Sequence, residues 1–132
     1  MKVLGLIPSR MGSKRLPAKA LLPISGLPLV VHTYRRANLS KFIDKILICT
    51  DSNKIVKAAK KHKCNTIMTS PYHLNGTERI AEAFIKQTKK YDLVIDIQGD
   101  EPLISPYHID EIIKFHKKNK DVDIVLPTLK IK

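Results

Sequence analysis

Val3-Leu-Gly-Leu-Ile-Pro8 runs directly into Ser9-Arg10-Met11-Gly12-Ser13-Lys14-Arg15-Leu16-Pro17-Ala18-Lys19-Ala20-Leu21, and this stretch decides the fold. Its first part is a short, continuous apolar run ended by proline, which fits a strand buried on both faces. Its second part is a polar, Gly- and Pro-bearing loop carrying Arg10, Arg15 and Lys19 at spaced positions. In open α/β sheets ligands bind beyond the carboxyl ends of the strands, so a cationic loop placed there is a candidate site.

Outward from this stretch the pattern alternates. Pro28 opens a helix with Val30, Val31, Tyr34 and Ala37 on one face. Residues 45–50 form a second apolar strand, and Asp51 or Ser52 can cap the helix that follows through Ile55, Val56 and Ala59. Residues 65–68 predict a third strand, and Gly76-Thr77-Glu78 introduces a third helix through Ile80, Ala83 and Phe84. Residues 93–98 predict a fourth strand, and Ser105-Pro106 starts a fourth helix through Ile109, Ile112 and Ile113. A last strand is expected over 123–131, with Pro127 marking an edge or a break. Strand and helix in alternation, with uninterrupted apolar strands, predict one α/β domain over residues 1–132: a mostly parallel sheet with helices on both faces.

Composition sets the background. At 132 residues, 43% hydrophobic and 27% charged, the chain is long enough for a real core and suits a globular protein. No run approaches the twenty apolar residues of a membrane span. The two cysteines, Cys49 and Cys64, have no zinc-like spacing and read as free, partly buried thiols of a cytoplasmic protein. The net charge of +12 raises the question of nucleic acid. The excess is 19 Lys against 5 Arg, scattered over polar helical faces such as Lys54, Lys57, Lys60 and Lys61 without interleaved aromatics. A nucleic-acid partner is therefore not the favoured reading. The histidines show no metal spacing either, and read as surface or packing residues.

Three loops at the ligand edge carry unusual residues. In the first, Gly12 allows close backbone approach, Ser13 offers a hydroxyl, and Arg10, Arg15 and Lys19 supply the fixed positive charge that a triphosphate requires. It is neither a P-loop nor a dinucleotide fingerprint, since the Gly-Lys-Ser/Thr and Gly-x-Gly-x-x-Gly patterns are missing. The fourth-strand loop reads Asp96-Ile-Gln98-Gly99-Asp100-Glu101-Pro102. Asp100 is a candidate magnesium ligand, because Mg²⁺ takes one or two carboxylates plus substrate phosphates; the alternative is a turn-capping role before Pro102. Gln98 can read a polar substrate edge, and Asp96 is expected to face away or pair locally. The third loop ends in Asn75-Gly76-Thr77-Glu78-Arg79 at a helix N-terminus, where unpaired N–H groups can meet an anion or a base carbonyl. Arg79 can alternatively pair with Glu78 or Glu82 on the helix surface.

Arg10-x-x-Ser13-x-Arg15-Leu16-Pro17-x-Lys19, Thr50-Asp51, Gly76-Thr77-Glu78-Arg79 and Gln98-Gly99-Asp100-Glu101-Pro102 together resemble the CMP-Kdo synthetase family, the 3-deoxy-manno-octulosonate cytidylyltransferases. The resemblance implies a Rossmann-like nucleotidyltransferase fold, truncated here relative to the family. It implies that CTP and the acidic sugar Kdo give CMP-Kdo and pyrophosphate, a step toward lipopolysaccharide. By the same resemblance, Arg10, Ser13, Arg15 and Lys19 would grip the triphosphate. Asn75, Gly76, Thr77 and Arg79 would lie by the cytosine, Gln98 would contact sugar or nucleotide, and Asp100 would hold Mg²⁺. Arg15, Lys19 and Asp100 form the implied catalytic set, and the full-length family member would be a homodimer.

The sequence departs from the family pattern at Ala18 and Ala20, where Gly and Pro are usual, and at Asn75, where Ser is usual. The family's chains are also about double this length, which is the larger departure. The expectation is a fragment, a split product or a degraded enzyme whose sugar-binding part lies elsewhere. The alternatives are a cytidylyltransferase for a sialic-like or 8-amino acidic sugar, and a non-catalytic nucleotide-binding fragment.

Overall fold

The computed structural model describes residues 1–12 and 18–125. Ser13 and Arg15 of the first motif, and most of the strand expected over 123–131, lie outside them. Its described part, 123–125, forms no strand.

Four strands make one parallel sheet: β1 (Val3–Pro8), β4 (Lys45–Thr50), β5 (Thr66–Met68) and β6 (Leu93–Asp96), in the order β5-β4-β1-β6. Between β1 and the first long helix the chain makes a short 3-10 turn, Lys19–Leu21, and then a two-stranded hairpin. The hairpin joins β2 (Pro23–Ile24) to β3 (Leu27–Pro28). Its two-residue turn has Ser25 at φ 50° and Gly26 at φ +82°, the positive angles that a tight primed turn demands. Between the loop after β1 and the helix at Pro28 no hairpin was expected, although Ser-Gly between apolar residues was its signal.

The helices are α1 (Leu29–Ala37), α2 (Asn53–Lys61), α3 (Gly76–Ile85) and α4 (Pro106–Lys118). Alternation along the strands sends side chains to both faces of the sheet. Val3, Ile7, Ile46 and Ile48 pack with Val30, Val31 and Tyr34 of α1, Ile55 and Ala59 of α2, and Ile109 and Ile113 of α4. Leu4, Leu6, Leu47 and Cys49 pack on the other face with Ala83 and Ile80 of α3. The expected sandwich of helix, sheet and helix is what the chain forms.

Three of the four helices start at a side-chain cap, while α1 starts at Leu29 with Pro28 before it and no side-chain cap. Ser52 accepts from the Ile55 amide at 3.3 Å, Asn75 from the Glu78 amide at 2.9 Å, and Ser105 from the His108 amide at 3.2 Å. Capping oxygens of this type satisfy donors that the first turn would otherwise leave unpaired. Of the two capping candidates before α2, Ser52 is the one used. No helix among the described residues is long and apolar enough to cross a membrane.

Candidate functional site

The sheet order places a topological switch point at the carboxyl ends of β1 and β6. From β1 the chain crosses to β4 on one side, and later returns to pair β6 on the other. Loops leaving neighbouring strands in opposite directions open a crevice there. A cleft of about 210 Å³ lies at this point, lined by Pro8, Ser9, Arg10, Lys19, Ala20, Leu29, Gln98, Gly99 and Asp100. The first and fourth-strand loops, read separately in the sequence, thus meet in one site.

Within the cleft Lys19 Nζ lies 3.1 Å from Asp100 Oδ2, across 81 positions of sequence. The two side chains are 44% and 51% exposed, so the pair contributes little to stability, about 0–1 kcal/mol. What it provides is a cation and an anion at the mouth of an open cleft, where a phosphate can replace the carboxylate beside Lys19. Arg10 is exposed at the same edge. Gln98 donates to Asp96 Oδ1 at 3.2 Å, the local pairing expected for Asp96. Partial burial raises the Asp96 carboxyl above its ordinary range.

Close approach explains Gly99. A Cβ there would sit 3.3 Å from the Pro8 carbonyl oxygen and 3.5 Å from Ile7 Cγ2. The loop is also fastened from α1, since the fully buried Thr33 donates to the Gly99 carbonyl at 2.9 Å. One turn on, Arg36 Nε donates to the Ile104 carbonyl at 3.0 Å. Positions 33 and 36 share a helix face, so one face of α1 holds both ends of the Gly99–Ile104 stretch. Sequence reasoning missed both residues, because neither carries a motif.

The third loop reaches the same edge through Gly76, whose Cβ would lie 3.2 Å from Pro8 Cγ. The N-terminus of α3, with Gly76 and Thr77 in its first turn, therefore abuts a residue that lines the cleft. Asn75 is committed to capping through its side-chain oxygen.

Arg79 differs from its surface-pairing reading. Its side chain is 5% exposed and turns inward, where its guanidinium donates to Thr69 Oγ1 at 2.6 Å and to the Ser70 carbonyl at 3.1 Å. It also faces Asp51 Oδ1 at 3.9 Å, an atom that is buried with no hydrogen-bond partner among the described residues. Glu78 and Glu82 instead serve the loop before the helix. Burial keeps Arg79 off the surface and lets it tie the ends of β4 and β5 to α3.

Both cysteines are free and buried. Burial pushes the Cys49 thiol up to about 12, partly opposed by the nearby Arg79 cation, and raises Cys64 as well. Thiols held protonated in this way are poor nucleophiles.

The described residues contain no cluster of three or more His, Cys, Asp or Glu able to hold a metal alone. A lone, half-exposed carboxylate in a cationic cleft fits an ion shared with bound phosphates, the mode Mg²⁺ favours over an all-protein cage.

A parallel sheet of this order, with its cleft at the switch point, is the arrangement of a doubly wound, Rossmann-like α/β protein. The chain belongs to the cytidylyltransferase family, whose sequence profile matches residues 4–132. It is 43% identical over 120 residues to the 8-amino-3,8-dideoxy-manno-octulosonate cytidylyltransferase of Shewanella frigidimarina, covering 90% of this chain and 49% of that protein. It is 43% identical over 113 residues to the mitochondrial 3-deoxy-manno-octulosonate cytidylyltransferase of Arabidopsis thaliana, covering 86% and 39%. Among solved structures, CMP:2-keto-3-deoxy-manno-octonic acid synthetase complexed with CTP superposes with a TM-score of 0.87 at 33% identity, over 91% of this chain and 49% of that one. The chain thus spans about half the length, or less, of the relatives it matches.

Proposed function

We propose that this chain supplies the nucleotide-binding part of a cytidylyltransferase that joins CMP from CTP to Kdo and releases pyrophosphate, a step toward lipopolysaccharide. The observation that carries the reading is the meeting of Lys19 and Asp100, with Arg10 and Gln98, in the cleft between β1 and β6. In support, the superposable synthetase was solved with CTP bound.

In the reaction, the anomeric hydroxyl oxygen of the sugar forms a bond to the α-phosphorus of CTP. The bond from that phosphorus to the bridging oxygen breaks, pyrophosphate leaves with the bond electrons, and the hydroxyl proton passes to solvent. Little covalent work falls to the protein, which positions the reactants and neutralises charge. Lys19, Arg10 and Arg15 hold the triphosphate oxygens, and Lys19 stabilises the departing pyrophosphate. Ser13 donates to the same phosphates. The first turn of α3, from Asn75 through Gly76 and Thr77, lies against the base and carries the positive end of the helix. Gln98 orients sugar or nucleotide. Asp100 would hold Mg²⁺, which when bound withdraws charge from the phosphates. The acidic sugar and any homodimer contact fall to the portion of the relatives that this chain does not span.

Pyrophosphate release from CTP, Mg²⁺ and Kdo tests the assignment, measured on this chain joined to the portion of a relative that it does not span. Lys19→Ala and Asp100→Ala are expected to lose about 100-fold or more of the rate, the scale of removing one charge-stabilising group. Both variants should melt close to the parent, because the pair is exposed. Undiminished release in either variant refutes its role. Equal identity to a Kdo and an 8-amino-Kdo relative makes the 8-amino sugar a second reading, and a panel of both sugars separates the two.

A further inference from the structure

The loop between β5 and α3 buries its residues in the reverse of the usual order. Tyr72 and Leu74 are 87% and 84% exposed, while the His73 side chain between them is only 18% exposed. The loop tip has no apolar anchor of its own, so polar contacts must set its position. Two carboxylates of α3 provide them. Glu82 Oε1 accepts from the Ser70 amide at 2.8 Å and lies 2.7 Å from His73 Nε2. Glu78 Oε2 accepts from the Leu74 amide at 2.6 Å and lies 4.0 Å from His73 Nδ1.

The surrounding charges keep this clamp in place. Lys86 pairs with Glu82 at 2.5 Å and donates to the Met68 carbonyl at 3.1 Å, while Arg79 holds the Ser70 carbonyl. Lys86 first, then the Ser70 amide and His73, hold the Glu82 carboxyl down to about 2, so it is ionised throughout the neutral range. His73 is the one side chain of the loop tip that reaches the helix carboxylates, and the chain enters α3 at Gly76, three residues later.

We propose that His73 is a positioning residue for nucleotide binding: its imidazole, held by Glu82 and facing Glu78, sets the approach of the loop and so aims the Gly76 and Thr77 amides at the nucleotide beside Pro8. This rests on the nucleotide site proposed above. It assigns the histidine to the base end of that site, away from the phosphate end at Arg10 and Lys19. His73→Leu keeps bulk and removes the donor. His73→Gln restores an N–H donor at similar reach.

Calorimetric titration of the full chain with Mg²⁺–CTP, and separately with Mg²⁺–pyrophosphate, tests it. His73→Leu should weaken CTP about tenfold, as expected for losing one hydrogen bond to a charged group. Pyrophosphate affinity should stay unchanged, and His73→Gln should regain most of the CTP affinity. CTP bound by His73→Leu as tightly as by the parent would overturn the proposal, as would an equal loss of pyrophosphate affinity. A parent chain that binds neither ligand would overturn the nucleotide reading, and this inference with it. Pyrophosphate bound normally while CTP is indifferent to position 73 would overturn this inference alone.

Discussion

Thr33 illustrates how residues outside any motif hold a site together. Its hydroxyl is fully buried and gives its hydrogen bond to the carbonyl of Gly99, the glycine that allows the fourth-strand loop to press against β1. Thr33→Val removes the donor at nearly constant volume and leaves the partly buried Gly99 carbonyl without its protein donor. The loss of a hydrogen bond at a partly buried site costs about 0.5–1.5 kcal/mol. A lower urea midpoint at unchanged slope, together with weaker CTP binding, is the expected result. An unshifted midpoint would mean that the bond contributes nothing. Lys19 and Asp100 are the opposite case, half exposed, so their substitution should show in chemistry and not in stability. At this scale the motif residues Arg10, Lys19, Gln98 and Asp100 were legible because charge and Gly/Pro punctuation mark a ligand loop. Thr33, Arg36, His73 and Glu82 were not, because each acts on a partner far along the chain or across a loop.

The elements were legible where the cause is local. Serine and asparagine caps, apolar periodicity and Ser-Pro helix initiation act within one or two turns, and three of the four helices start at such caps, while α1 follows Pro28 without one. Strand ends were read too long: β5 begins at Thr66 rather than residue 65, and β6 stops at Asp96 rather than residue 98. Pairing sets those limits, and an apolar run continues past it; Ile97 still donates to the Leu6 carbonyl after the strand has ended. The entry to α3 offers a test at this scale. Gly76→Ala places a methyl 3.2 Å from the rigid ring of Pro8, which pushes the helix N-terminus away from the cleft. The gain from replacing glycine in a helix, about 0.5–1 kcal/mol, offsets much of that strain. The expected outcome is a melting temperature near the parent's with CTP affinity down several-fold. Full affinity would show that the first turn does not contact the nucleotide.

Across the whole molecule, both cores meet at the central strands β1 and β4, so stability concentrates there. Ile48, fully buried in β4, is packed between the helices of one face and its strand neighbours. Ile48→Ala should cost about 2–5 kcal/mol in denaturant unfolding, a large share of the 5–15 kcal/mol that holds an ordinary domain. A cost below 1 kcal/mol would show that the sheet is not the cooperative centre. By itself the sequence determined the alternation of strand and helix, the parallel sheet covered on both faces, the capped helix starts and the loops that bear charge. These follow from side-chain periodicity and from groups a few residues apart. Only the tertiary structure decided the order β5-β4-β1-β6, and with it the switch point that brings Lys19 to Asp100 and Gly76 to Pro8. It also turned Arg79 and His73 inward and sent Tyr72 and Leu74 outward. Pairing between distant strands depends on which packing of the whole chain buries the most apolar surface with every internal polar group satisfied, a sum that no local pattern contains.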